Sequence, residues 1–95
     1  MNASVTSIAL PATVMQNQAQ AVANDLVARL IARVAQGSEA VLDASALAQF
    51  DSSALAVLLA CRRAVMARDT SLRITGLPDR AQALAKVYGV TELLA

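Results

Sequence analysis

Ninety-five residues with seven acidic, eight basic and no histidine side chains, a formal net charge of +1, allow one domain over residues 1–95 with one core. No run of like charge exceeds Arg62 and Arg63, so the chain lacks the electrostatic footprint of a nucleic-acid or anionic-membrane binder. The absence of His removes catalytic triads, His-based proton transfer and most zinc sites, and no metal is expected.

The composition is 57% hydrophobic with one Tyr, one Phe and no Trp, which makes the expected core aliphatic. Cys61 is the only cysteine. It lies in the most apolar part of the sequence, so the expectation is a buried thiol in a reducing, cytoplasmic setting. The first 24 residues carry no charged side chain, but they lack a basic start and are broken by Asn, Ser, Thr and Gln, so no signal peptide is expected. The longest strongly apolar run, residues 54–61, is far short of the roughly 20 residues that span a bilayer, and no direct membrane insertion is expected.

Taken in order, residues 5–10 alternate in a β-favouring stretch that Pro11 interrupts, which predicts a first strand at a sheet edge. From 19 to 36 the apolar residues at 22, 23, 26, 27, 30, 31 and 34 follow helical spacing. Asp25 precedes Arg29 by four on the solvated face, and Gly37 supplies the stop. Residues 40–43 are too short for a helix and suit a buried strand ending at Asp43. Residues 44–50 are expected to be irregular or to form one helical turn.

A second helix is predicted over 52–68. Asp51 precedes it as the N-cap, with its carboxylate set to accept first-turn N–H groups. Leu55, Leu58, Leu59, Val65 and Met66 form its expected inner stripe, with Ala54, Val57 and Cys61 partly off it. Residues 69–71 turn the chain, and Leu72 and Ile74 alternate with Arg73 and Thr75 in a further strand that Gly76 ends. Pro78 opens a third helix whose inner face is Ala81, Leu84, Ala85 and Tyr88, with Lys86 solvated. Gly89 stops it, and a last short turn carries Val90, Leu93 and Leu94.

This alternation predicts an α/β fold, a small mostly parallel or mixed β-sheet packed against helices. Loops beyond the carboxyl ends of such strands gather function, which brings 43–53 together with 76–80 and sets Asp79 and Arg80 near the serines. No phosphate-cradling glycine pattern is present, so no nucleotide or other cofactor is expected. Asp43 and Asp51 are separated by a loop that contains no His, Glu or Lys. A strand-end acid and a helix cap are expected there rather than an acid–base pair, and the chain is not expected to be an enzyme.

The stretch VLDASALAQFDSSALAVLL, with a strand ending in Asp43, then Phe50-Asp51, Ser52, Ser53, a small residue and Leu55, resembles the core signature of STAS domains. The sulfate-transporter and anti-sigma-factor-antagonist modules belong to this family. Ala54 stands where the antagonist branch carries Gly, and LPATVMQNQA lacks the Gly-Glu-Leu entry motif. Residues 72–94, LRITGLPDRAQALAKVYGVTELL, resemble the last strand and helix of the small STAS subunit of the Mla (maintenance of lipid asymmetry) phospholipid ABC transporter.

That resemblance implies a non-enzymatic cytoplasmic subunit. It would be peripheral to the inner membrane through its partner and would bind and stabilise or regulate the transporter's ATPase, with Asp51, Ser52, Ser53 and Ala54 as the docking residues. The antagonist branch implies instead a signalling protein switched by phosphorylation of Ser53. A small acyl-chain or nucleotide-binding protein is a third reading, supported by hydrophobicity alone.

Overall fold

The computed structural model describes residues 7–94. Its elements in order are β1 (Ile8–Ala9), β2 (Thr13–Val14), α1 (Gln16–Ala35), β3 (Ala40–Asp43), β4 (Gln49–Phe50), α2 (Ser53–Met66), β5 (Leu72–Thr75), α3 (Asp79–Val87) and α4 (Thr91–Leu94). Three strands pair in the order β1-β3-β5, all parallel. The first strand is an edge strand as expected, shortened to two residues; positions 5 and 6 of the predicted stretch lie outside the described residues.

The register sets Leu42 between Ile8 and Ile74, and Ala40 beside Leu72. Since side chains alternate along a strand, these five share one sheet face. All of them belong to or pack against the core, with Leu26 and Leu30 of α1 and Leu55, Leu58 and Val65 of α2. The helices α1 and α2 pack on each other as well as on the sheet. A hydrophobic interior without a Trp and with one half-buried Phe is filled by Leu, Val, Ile and Ala, as the composition implies.

Two features depart from the sequence reading in the segments before α1 and α2. Residues 13–14 and 49–50 form a second, two-stranded parallel sheet, β2 with β4, where an irregular or helical segment was expected for 44–50. Leu10 donates its N–H to Asp43 O at 2.9 Å, and Ala48 and Gln49 donate to Ala12 O at 2.8 and 2.9 Å. Buried Ala44 and Leu47 anchor the linker beneath them.

Helix α1 begins three residues earlier than its apolar periodicity suggests. Its polar first turn is held by Gln18, whose Oε1 accepts the Met15 N–H at 3.0 Å. It ends where Gly37 takes φ +81°. There the Gly37 and Ser38 N–H groups return to Val34 O and Arg33 O, both at 3.0 Å, a double closure that needs a left-handed residue.

The buried face of α2 is also rotated from the expected stripe. Ala54, Val57 and Cys61 are buried with Leu55, Leu58 and Val65, because the helix is covered by α1 on one side and the sheet on another. Leu59 is half-buried, and Met66 at the last position is 48% exposed.

Candidate functional site

Asp51 closes both long helices at their starts. Its Oδ1 accepts the Ser53 N–H at 2.8 Å and its Oδ2 accepts the Gln16 N–H at 3.1 Å. Ser53 is the first residue of α2 and Gln16 the first of α1. One carboxylate thus satisfies an orphan donor in each helix and sits at two positive dipole ends.

The N-cap position itself is Ser52, whose side chain makes no cap hydrogen bond; Asp51 reaches forward two residues instead. The Ser53 backbone N–H, with smaller contributions from the Ser53 hydroxyl and Gln16, holds the Asp51 pKa below its ordinary value. Asp43 behaves alike: its Oδ1 accepts the Ser45 N–H at 2.9 Å, and hydrogen bonds from the Ser45 side chain and backbone lower its pKa. Neither carboxyl is raised toward a proton donor at neutral pH. Both act as ionised acceptors that fix turns.

The turn at Asp43 is locked to the next strand end. Ala44 donates its N–H to Thr75 O at 2.7 Å, and a Cβ on Gly76 would lie 2.8 Å from the Ser45 Cβ. Only glycine allows this approach, and its φ of +69° requires glycine as well. Gly76 therefore brings the start of α3 toward the 43–53 loop.

Beside the α2 start lies an open groove of about 490 Å³. One wall is Phe50, Asp51 and Ser52, and the other is the α3 face carrying Arg80, Leu84, Val87 and Tyr88. The Arg80 guanidinium carbon stands 5.0 Å from the Phe50 ring centroid, a cation–π contact joining the two walls. Arg80 thus lines the groove beside Ser52, where it was expected, whereas Asp79, at the first position of α3, is not among the residues lining it.

Ser52 is exposed, Ser53 half-buried, and Ala54 only 1% exposed, its methyl inside the core. Among the four residues singled out in sequence, Ala54 has no side-chain access to the surface.

The α3 face was the part not seen. Ala81 and Ala85 form its buried row, while the neighbouring row from Arg80 through Leu84 to Tyr88, with Val87, turns to the groove. Tyr88 was expected inside and is 58% exposed; Val87 is 81% exposed. A set of apolar residues too wide for one face of a nine-residue helix was the available signal. Lys86 is exposed. Among the described residues no three His, Cys, Asp or Glu side chains gather as metal ligands, and no helix is long and apolar enough to cross a membrane.

Parallel strands layered with helices, and a strand-end Asp followed by an Asp-Ser-Ser helix start, define a STAS-type domain. The family model described as "Mlab, STAS domain" matches residues 15–95, and the chain belongs to that family. A comparison with curated proteins gives no match.

Proposed function

We propose that this protein is the small STAS subunit of a phospholipid-transporting ABC complex of the Mla type, docking on the complex's ATPase and stabilising or regulating it without performing catalysis itself. On this reading residues 1–95 work as one unit in the cytoplasm, held at the inner membrane by the partner, and the complex maintains outer-membrane lipid asymmetry.

The observation that carries the reading is the exposed Ser52 at the α2 start, opening onto a groove whose far wall is the exposed apolar pair Val87 and Tyr88. Exposed apolar side chains clustered beside polar ones are typical of protein contact sites. The family match points the same way. Asp51 supports the site from beneath as a rigid bracket, and Ala54 supports it from the core.

The test is co-purification of the tagged chain with the ABC ATPase from native membranes, using wild type and Ser52→Glu. A negative charge at a helix start is tolerated by the fold. At an interface, by contrast, a desolvated unpaired charge costs several kcal/mol, so Ser52→Glu is expected to lose the ATPase while melting like wild type. Full ATPase recovery by Ser52→Glu would remove this site from the interface. Recovery of a soluble kinase in place of an ATPase would favour an anti-sigma-factor antagonist.

A further inference from the structure

The groove beside Ser52 carries charge as well as apolar surface. Two ionic side chains wall it, Asp51 and Arg80. Both Asp51 oxygens are taken by helix-start N–H groups, and the positive ends of α1 and α2 offset its charge. Arg80 has no such compensation: it lies over the Phe50 ring, and it belongs to neither the Asp25–Arg29 nor the Glu39–Arg73 ion pair. The ring contact holds the guanidinium beside Phe50, and its N–H donors form a planar fork.

Covering the groove strips water from Arg80. A partner that offered only apolar surface would strand a buried cation, which is strongly unfavourable. A carboxylate supplies two oxygens that match the guanidinium fork. We infer that the groove's occupant is a segment of the partner ATPase that presents a carboxylate to Arg80 and an apolar side chain to Val87 and Tyr88.

This inference rests on the docking reading above and names the chemistry of the partner's side. It makes Arg80 a specificity residue: a competing surface with a cation, or with no anion, at that point is rejected by repulsion or by the cost of an unpaired charge.

The experiment is a binding titration of the purified chain against the ABC ATPase of the same cell, with melting curves recorded for each variant. Arg80→Glu is expected to weaken binding on the order of 30-fold or more, and Arg80→Lys roughly several-fold, since lysine keeps the charge and loses the fork. A carboxylate-to-lysine substitution on the ATPase surface should weaken the wild-type complex and restore binding to Arg80→Glu. That ATPase-side variant carries the test if Arg80→Glu melts early.

The inference is overturned if Ser52→Glu loses the ATPase while Arg80→Glu binds within about threefold of wild type. If the wild-type chain fails to bind the ATPase at all, the docking reading falls and takes this inference with it. Self-association of the isolated chain that Arg80→Glu abolishes would assign the groove to a second copy, and would equally overturn it.

Discussion

Individual side chains show where the molecule resists change. Leu58 is fully buried at the meeting of α2 with the sheet and α1, so Leu58→Ala leaves a cavity and is expected to cost about 2–5 kcal/mol in denaturant melts. Leu59, its neighbour, packs on the core but is only half-buried, and the same truncation there is expected to cost roughly 1 kcal/mol. Cys61 is wholly buried, and desolvation pushes its thiol pKa up to about 11. The thiol stays neutral and shielded through neutral pH. A colorimetric thiol reagent at pH 8 should therefore react with the native protein only as fast as the protein unfolds; prompt stoichiometric reaction would place the thiol at the surface. Gly76→Ala combines a left-handed backbone with a 2.8 Å approach to Ser45, and is expected to destabilise by about 1–3 kcal/mol. Adding Ser45→Gly should recover only the share due to the Ser45 Cβ, because the Ser45 backbone N and Cα remain 3.1 and 3.2 Å from the new methyl, and a double-mutant cycle measures that share.

At the scale of elements, the bracket at Asp51 ties α1 to α2, and its consequence appears in acid. The folded-state pKa values of Asp51 and Asp43 lie below their ordinary value. A carboxyl depressed on folding contributes stability that is complete above its unfolded pKa and is lost as pH falls through the folded one. Melting temperature is therefore expected to hold from neutral pH to about pH 5 and to fall below about pH 4. Asp43→Asn with Asp51→Asn should flatten that acid limb; an unchanged acid limb would mean that neither carboxyl is held by the turn it caps. The helix starts also show what the sequence could convey. Leu26, Leu30, Leu55 and Leu58 announced the two long helices, and residues 40–43 and 72–75 announced β3 and β5, because hydrophobic pattern reports which face is buried. The pairing of β2 with β4 was illegible: two residues on each side carry no period, and their register comes from backbone N–H groups donating to Ala12 O. The early start of α1 was hidden for the same reason, in a run of Gln and Asn held by the side chains of Gln18 and Asp51. At the candidate site the sequence pointed to Asp51, Ser52, Ser53 and Ala54, with Asp79 and Arg80 near them; Asp51, Ser52 and Arg80 line the groove, and Ala54 is buried. The sequence misread Tyr88, because i,i+4 spacing from Leu84 does not say which of two adjacent rows faces the core.

For the whole molecule, the remaining choice is between a docking body and a phosphorylation switch, and it turns on the surroundings of Ser53. Its hydroxyl lends a hydrogen bond to Asp51, its backbone N–H is the strongest influence holding that carboxyl ionised, and the residue is half-buried. A phosphate on Ser53 would gain from the α2 dipole but would bring roughly −1.5 to −2 charge against the ionised Asp51, competing with it for the same N–H. Such a modification would loosen the bracket between α1 and α2 as well as change the surface. Ser52, exposed on the groove side, would meet a partner on the proposed docking reading without disturbing that bracket. The expected outcome is that protein taken from its native cell carries no phosphate on Ser53, and that Ser53→Ala binds the ATPase within a few-fold of wild type while Ser52→Glu does not. Intact-mass analysis of the native protein and titration of the two folded variants decide the matter. Stoichiometric phosphate at Ser53, with regulation lost in Ser53→Ala, would make the junction a switch instead of a docking point.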